Sequence, residues 1–209
     1  CTVDTRVYAV VKFDKGDGTN KYILCEFDSS FNTDMAKTYS GTNGVFSVSS
    51  DFANGAVLDV VSGTHYLGQF TVASGNIDVS AVDNSLSSAE IGFKFDVTLK
   101  TNPIDTLAQQ GPMTGEPRSM NKVILDLSNT LSVSVNSNNL IIRQVTDDLS
   151  LARQAVTGKK EFRLLGYSKD PQVTISQSAP LSLQVNSLVA EVTLSLIHIS
   201  EPTRQWQIS

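Results

Sequence analysis

Apolar and polar residues alternate in three successive groups between Thr157 and Val192. The apolar positions of the three groups are Phe162 and Leu164; Val173 and Ile175; and Leu181, Leu183 and Val185. A period of two residues is typical of half-buried strands, and turn residues separate the groups. This stretch therefore predicts three consecutive antiparallel strands that form one small sheet.

Short apolar runs of the same kind recur through the first part of the chain. Val7 to Phe13 and Lys21 to Phe27 flank a loop with two glycines, which predicts a β-hairpin. Residues 31 to 50 are rich in Ser, Thr, Asn and Gly and predict a linker, with a short strand beginning at Val45. The runs that follow, up to Val82, predict a small β-barrel or sandwich with turns at Gly55, Gly63 and Gly75.

The second part of the chain begins with its most regular alternation, from Ile91 to Leu99, which predicts one strand. The glycines and prolines between Gln109 and Asn121 predict a loop with at most one helical turn. Three more strands are expected at 123 to 127, 131 to 135 and 140 to 145, with a turn at 128 to 130. One short helix is expected from Leu149 to Ala155, capped by Asp147, Asp148 and Ser150.

Composition supports a strand-rich fold. The chain is 40% apolar, rich in Asn, Ser, Thr and Gly, and has no apolar run of membrane-spanning length. We therefore predict an all-β protein with at most one short helix. The predicted units are a terminal hairpin at 1 to 30, a small β-barrel or sandwich module at 31 to 90 and a C-terminal antiparallel β-domain at 91 to 192.

Charge is distributed unevenly around a net value of −5. Residues 1 to 105 carry 13 acidic and 7 basic side chains, about −6, and the remainder carries 8 acidic and 9 basic, about +1. Nothing in this pattern resembles the basic footprint that neutralises phosphates, so sequence-independent binding of nucleic acid is not expected. An acidic surface suits a wall past which DNA must slide, although a solvated acidic face is its ordinary explanation.

Patterns that carry catalysis are missing from the sequence. The nucleophile motif G-x-S-x-G is absent, and Gly158-Lys159 is followed by Lys160 rather than the Ser or Thr of a phosphate-binding loop. Asp147 and Asp148 are adjacent and cannot face each other across a sugar ring, so a helix N-terminus explains them better. Lys159, Lys160 and Arg163 form a basic spot too small for a nucleic-acid interface.

Metal sites are not indicated either. Asp14, Asp17 and Asn20 offer oxygens in the hairpin loop, but Gly16 and Gly18 occupy positions where an EF-hand needs ligands, so a plain turn explains the loop. His65 has no second His or Cys nearby, which favours a surface turn histidine. We predict no enzyme activity, no catalytic, cofactor-binding or metal site, and no cofactor.

The two cysteines, Cys1 and Cys25, are too few for a disulfide framework. Free thiols in a reducing cytosol are expected, and a bridge across the hairpin is the alternative. The chain opens without an initiator Met or the features of a signal peptide, so we expect Cys1 to be the start of a sequenced fragment.

Residues 194 to 205, LSLIHISEPTRQ, resemble the translation of a sequencing adapter joined to an environmental reading frame. On that reading, residues 193 to 209 are an artefactual tail, and neither His198 nor Trp206 has a role. The alternative is an exposed edge strand from Val192 to Ile199, which would be an aggregation liability.

Several segments resemble the C-terminal part of podovirus tail nozzle proteins, the tail tubular protein B family. They are TGKKE at 157 to 161, GYSKD at 166 to 170, VTISQSAPLSL at 173 to 183, LVAEV at 188 to 192, LKTNPID at 99 to 105 and RSMNKVILDLSNTLSVSV at 118 to 135. The opening hairpin is also similar to the last strands of that family's β-propeller. Ser178 and Ser182 depart from the family, which often has an acid and a proline there.

The resemblance implies a structural subunit of the phage tail, located in the virion and assembled in the host cytoplasm. It implies a homo-oligomeric ring of six copies, contacts with tail adaptor and tail fibre proteins, and a channel through which DNA passes without sequence-specific binding. It also implies that most of a β-propeller is missing upstream and that no catalytic residue is carried over.

Two other classes of protein remain open. A β-sandwich adhesin or glycan-binding module of a phage tail would have a similar composition, although the five tyrosines form no cluster in the sequence. A tail-associated hydrolase fits less well, because a second histidine and a suitable carboxylate pair are missing. If the chain is a ring subunit, we expect it to be only marginally stable without its neighbours.

Overall fold

The structure is a computed structural model that describes residues 2–3, 6–15, 18–104, 107–108, 111–112, 118–143, 147–148 and 151–194. It is all-β, with 57% of residues in strands and no helix among the described residues. The predicted fold class is therefore confirmed. Because the described ranges hold no helix, they also hold none that could cross a membrane.

The strands pair antiparallel throughout the described ranges. In chain order they are β1 (Thr2–Val3), β2 (Arg6–Asp14), β3 (Asn20–Glu26), β4 (Asp34–Thr42), β5 (Val45–Ser47), β6 (Val57–Ser62), β7 (His65–Thr71), β8 (Asn76–Asp78), β9 (Ser88–Phe93), β10 (Val97–Lys100), β11 (Leu107–Ala108), β12 (Gly111–Pro112), β13 (Arg118–Thr130), β14 (Ser134–Val135), β15 (Asn138–Asn139), β16 (Val156–Arg163), β17 (Tyr167–Ser168), β18 (Thr174–Gln177) and β19 (Val185–Leu194).

The N-terminal core is built on a six-stranded sheet with the order β7-β6-β9-β4-β5-β8. Its fully buried side chains come from alternate positions of these strands and from the loops between them, and include Phe46, Val48, Leu58, Val60, Ile77, Val79 and Ile91. Burying large aliphatic and aromatic side chains is the main source of stability in such a unit. The core is continuous from β4 to β9.

The predicted hairpin is confirmed as β2 and β3, and one aromatic side chain ties it to this core. The ring centroid of Phe13 lies 5.8 Å from that of Phe52 and 5.5 Å from that of Phe93. Phe52 and Phe93 are themselves 5.4 Å apart in an edge-to-face arrangement. Such pairs are stabilising beyond the area they bury, so the tip end of the hairpin is anchored to the six-stranded sheet.

The C-terminal core surrounds β13, a 13-residue strand that pairs with β16 along one edge and with β19 along the other. A second sheet, with the order β10-β18-β14-β15, covers it. Both sheets contribute side chains to one cluster of buried residues: Met120, Val123, Leu125, Leu127, Val133, Val135, Phe162, Leu164, Val173 and Ile175. The unit is therefore a small two-sheet sandwich.

A third, small cluster joins the two cores. Val61 of β6 packs with Leu131 and Leu181, and all three side chains are at most 6% exposed. Tyr66 of β7 lies against the same cluster. Residues Lys94 to Asp96 form the covalent connection between β9 of the N-terminal sheet and β10 of the C-terminal unit. We call the contact formed by these residues the junction.

The structure corrects the prediction of three consecutive strands in one sheet. β16 and β19 both pair with β13, whereas β18 belongs to the other sheet. Leu181 and Leu183 lie outside β19, in the segment that leads into it. Alternation indicates that a segment is a strand, but it does not specify the partner of that strand. Here β16 and β19 both pair with the 13-residue β13 rather than with the strands next to them in sequence.

Strand limits also differ from the predictions in the first half and around residue 91. Residues 34 to 42, expected to be part of a linker, form β4. The expected single strand from Ile91 to Leu99 is two strands in different sheets, and the predicted unit boundary between 90 and 91 falls inside β9. Phe95 and Leu99 are 49% and 57% exposed. The apolar and polar residues keep alternating from β9 to β10, although the two strands belong to different sheets, and only three residues connect them.

Predictions for the region from 107 to 155 are wrong at several places. The expected loop at 109 to 121 and turn at 128 to 130 overlap β13, and β11 pairs with β12 as a two-stranded ribbon. Of the strand expected at 131 to 135 only Ser134 and Val135 form one, residues 140 to 143 are not in a strand, and 151 to 155 are not helical. Residues 144 to 145 of the third expected strand and 149 to 150 of the expected helix lie outside the described residues, as do 195 to 209.

Candidate functional site

The residues considered for metal binding do not converge. His65 opens β7, half-buried, and its Nδ1 lies 3.4 Å from the Thr64 hydroxyl. Asp14 accepts a 3.0 Å hydrogen bond from the backbone N–H of Gly18, as in an ordinary turn. Asp17 lies outside the described residues. Within the described ranges, no group of three or more His, Cys, Asp and Glu side chains could hold a metal ion.

The basic spot at Lys159, Lys160 and Arg163 lies on β16 beside acidic side chains. Arg163 Nε is 3.6 Å from Glu161, and Glu161 is also 3.6 Å from Lys122. Opposite charges on neighbouring strands of this kind offset each other. The arrangement supports a solvated sheet face rather than an anion site.

Cys25 is a free thiol whose Sγ lies 3.5 Å from the sulfur of Met35. Cys1 lies outside the described residues, so the alternative bridge across the hairpin stays a prediction. Asp147 and Asp148 are exposed. Because 151 to 155 are not helical, the explanation of this acidic pair as helix caps is wrong for the part of the helix that is described.

The hairpin presents six large apolar side chains to solvent. Val10, Tyr22 and Leu24 lie on one face and are 71%, 71% and 68% exposed. Val10 and Leu24 are directly opposed in the pairing of β2 with β3, and Lys12 is opposed to Tyr22. We call the six exposed side chains of the two faces the hairpin surface: Val7, Val10, Val11, Tyr22, Leu24 and Phe27.

The opposite face of the hairpin is also only partly covered. Val7, Val11 and Phe27 share that face with the buried Phe13, yet they are 46%, 36% and 72% exposed. Among the described strands β3 is an edge strand, since its other side has no partner. An exposed apolar surface of this density marks an interaction site more often than an ordinary solvated surface.

A concave site lies at the junction of the two units. It is a cleft of about 690 Å³ whose walls include Tyr66 from β7, the connecting residues Lys94 and Asp96, and Leu131 from the junction. Ligand sites in proteins are commonly clefts of this size between two packed units. We call this site the junction cleft.

One wall of the junction cleft carries a row of polar side chains, one from each strand of the four-stranded sheet. Thr98 of β10 is opposed to Ser176 of β18, Ser176 to Ser134 of β14, and Ser134 to Asn139 of β15. All four residues line the cleft. Ser134 Oγ and Ser176 Oγ lie 3.1 Å apart, within hydrogen-bonding distance. We call this set the polar row.

Basic side chains also line the cleft. Arg143 and Arg153 both line it, and an Arg143 Nη2 N–H donates to the carbonyl of Leu151. Lys94 pairs with Asp96 across 3.3 Å. With two arginines and one internal ion pair, the lining residues carry a net positive charge in a protein whose net charge is −5.

Beneath the cleft, a buried acid holds one lining residue in place. The Tyr66 hydroxyl donates a 2.7 Å hydrogen bond to Oδ1 of Asp59, which has no exposed surface. Burial, followed by the hydrogen bond and charge of Asp59, raises the pKa of Tyr66. Tyr66 therefore stays a neutral phenol in water, with its oxygen still able to accept a hydrogen bond.

Other partly buried carboxylates have structural roles. Glu90 Oε1 accepts hydrogen bonds of 2.7 Å from the backbone N–H groups of Asn32 and Thr33, and one of 2.8 Å from the Thr33 hydroxyl. Asp51 Oδ2 accepts hydrogen bonds from Tyr39, Lys37 and Ser50. Both carboxylates fix loops to the N-terminal sheet rather than face the junction cleft.

Sequence reasoning missed the junction cleft and the polar row. The four residues of the row are spread over 79 positions and meet only because β18 lies between β10 and β14. No spacing in the sequence encodes that order. The hairpin surface could have been found from the sequence, because six large apolar residues in one hairpin exceed what one buried face requires.

Two comparisons with known proteins found no match. No family model matches the chain, and no curated protein is similar to it. Over the described residues the fold is all-β and antiparallel, with two joined units, and a fold of this class does not by itself indicate a function.

Proposed function

We propose that the chain is a structural subunit of a phage tail nozzle, which assembles with copies of itself into a ring. The proposal combines the resemblance of the segments between 99 and 192 with one structural observation, the hairpin surface. A subunit that acts by assembly needs a contact surface and no bond-breaking groups. The hairpin surface supports such a contact.

Large apolar side chains cost free energy while they stay in contact with water. Tyr22, Leu24 and Phe27 are each about seven-tenths exposed, and covering a large apolar side chain contributes about 1.5–3 kcal/mol. Packing the three exposed side chains of one face, Val10, Tyr22 and Leu24, against a second copy would remove this cost for that face. Exposed apolar side chains concentrated on a single hairpin are typical of a surface that a neighbouring subunit covers.

We propose six copies, a channel through which DNA passes, and contacts with tail adaptor and tail fibre proteins in the virion. The acidic excess before residue 105 supports a channel wall that DNA does not adhere to, because like charges repel. Assembly would take place in the host cytoplasm.

Mass photometry and negative-stain electron microscopy of the full 209-residue chain would test assembly. We expect ring-shaped oligomers at micromolar concentration, and monomers for the double variant Tyr22→Ser with Leu24→Ser. Leu165→Ser is the matched control, because Leu165 is fully exposed but lies outside the hairpin. A monomeric wild-type chain, or an equal effect of Leu165→Ser, would contradict the proposal.

The assignment to a phage tail has a separate test. Recovering the neighbouring genes should give a portal or tail adaptor gene beside this reading frame. A host metabolic operon around it would overturn the phage assignment even if the chain forms oligomers.

A further inference from the structure

The polar row and the arginines of the junction cleft share no residue with the hairpin surface. The row spans four strands, and neighbouring strands lie about 4.8 Å apart, so it extends over roughly 14 Å. Its four side chains, Thr98, Ser176, Ser134 and Asn139, offer hydroxyl and amide groups at a regular spacing. That spacing is close to the length of one ring in an extended chain of pyranose sugars.

The chemistry of the row matches hydroxyl-rich ligands. Serine and threonine hydroxyls both donate and accept hydrogen bonds, and the asparagine amide does both through separate atoms. A sugar ring carries hydroxyls that need partners of both kinds. The apolar side chains of Leu131, Leu140 and Ile141, which also line the cleft, can contact the C–H faces of the rings.

The arginines add a preference for charge. Arg143 and Arg153 line the same cleft, and a guanidinium can bind a carboxylate with two parallel hydrogen bonds. Elsewhere the protein has an excess of acidic side chains that repels anions. Two arginines in a concave site therefore distinguish this cleft from the rest of the surface.

Tyr66 completes the wall and is already held in position. Its hydroxyl donates a 2.7 Å hydrogen bond to Asp59, and the same oxygen can still accept a hydrogen bond from a ligand. A side chain fixed before binding loses little conformational entropy when a ligand arrives.

We propose that the junction cleft binds an extended acidic oligosaccharide, of the kind built from uronic acids. The polar row hydrogen-bonds successive rings, and Arg143 and Arg153 pair with their carboxylates. This site is independent of the hairpin surface, so it holds whether or not the chain assembles into a ring.

Nuclear magnetic resonance titration of the full chain would test the site, with the 1,4-linked trimer of galacturonic acid as probe and the 1,4-linked trimer of galactose as its neutral counterpart. We expect the acidic trimer to perturb amides of Thr98, Ser134 and Ser176 and to bind about tenfold more tightly than the neutral one. Arg153→Gln should weaken binding of the acidic trimer about tenfold.

Two matched substitutions control for general effects. Lys159→Gln removes an exposed positive charge from β16, and Ser187→Ala removes an exposed hydroxyl from β19, both outside the cleft. Neither should change the affinity for the acidic trimer, whereas Ser176→Ala should lower it severalfold. Unfolding curves that coincide with wild type would show that each variant is folded.

Three results would overturn the proposal. The first is equal affinity for the acidic and neutral trimers. The second is equal loss of affinity in Arg153→Gln and Lys159→Gln. The third is tighter binding of a short single-stranded deoxyoligonucleotide than of the acidic trimer at the same salt concentration, because the arginines would then serve a phosphate backbone.

Discussion

Tyr66 donates a 2.7 Å hydrogen bond to Asp59, and the other oxygen of that buried carboxylate has no hydrogen-bond partner among the described residues. A carboxylate without exposed surface is costly unless it is hydrogen-bonded. Tyr66 therefore supplies the one side-chain hydrogen bond that this carboxylate accepts among the described residues.

Removing the Tyr66 hydroxyl should lower the free energy of unfolding of the N-terminal unit, although the substitution deletes a single oxygen atom. In Tyr66→Phe, Asp59 loses the hydrogen bond to its Oδ1 while it stays buried, and we expect a loss of about 2–3 kcal/mol in the free energy of unfolding. Urea denaturation at neutral pH would measure it. In the background of Asp59→Asn the same substitution should cost less than half as much, since a neutral amide is less costly to leave unpaired.

Equal costs of Tyr66→Phe in the two backgrounds would show that the hydroxyl contributes nothing through Asp59.

Acid should weaken the N-terminal unit through Asp51. Burial alone would raise the pKa of Asp51, but hydrogen bonds from Tyr39, Lys37 and Ser50, and the charge of Lys37, outweigh it and hold the pKa below 3.8. A lowered pKa in the folded state means that the stabilisation is complete above 3.8 and is lost as the pH falls through the lower folded value.

We therefore expect Asp51→Asn to be less stable than wild type by about 1 kcal/mol at neutral pH, a figure reduced for partial exposure to solvent. The difference between the two proteins should shrink as the pH drops below 3.8. Thermal unfolding across this pH range would measure it. A difference that is constant with pH would mean that the side chain acts through packing and not through its charge.

Phe13 should determine whether the hairpin stays attached. It is 7% exposed and packs against Phe52 and Phe93, so Phe13→Ala should cost about 3–5 kcal/mol. Val10 lies three residues before Phe13 on the opposite, exposed face of the hairpin, so Val10→Ala should change stability by less than about 0.5 kcal/mol. Amide hydrogen exchange would show loss of protection in β2 and β3 for the first variant alone.

Arg118 should be sensitive to both charge and shape. It is 2% exposed, and its guanidinium donates to the carbonyl of Ile104 at 2.5 Å and to that of Lys169 at 3.3 Å. Arg118→Met leaves both carbonyls without these donors and should cost about 2–3 kcal/mol.

Arg118→Lys should rescue little of this loss, because one ammonium group cannot replace the planar fork of the guanidinium. Arg163→Met is the control, since that side chain is 89% exposed. If the variants at 118 and 163 unfold at the same urea concentration, the buried guanidinium has no special structural role.

Alternation was sufficient to predict the fold class and the existence of most strands, because a period of two is a local property. Partners were harder to predict. Phe162 and Val185 both lie in strands beside β13, yet nothing near either residue indicates this. Strand β4 was missed because its Ser, Thr and Gly residues favour turns locally, and Gly41 is needed there so that Phe46 can pack closely against the strand.

The candidate sites show the same limit. Each residue of the polar row is an unremarkable Ser, Thr or Asn by itself, and the row appears only when β18 is placed between β10 and β14. Asp59 is one acid within an apolar run, and its burial follows from the two strands that flank β6. Local patterns could not supply either fact.

The position of β13 between β16 and β19 has a consequence for synthesis in the cell. Its second partner, β19, begins 55 residues after β13 ends. During translation one edge of β13 therefore stays unpaired until the intervening chain and β19 have been made. Closing so long a loop is slow compared with forming a hairpin. We expect ribosome-bound nascent chains that stop before β19 to have an incomplete C-terminal sandwich and to recruit chaperones. Their six-stranded sheet, whose last strand ends at Phe93, can already have formed.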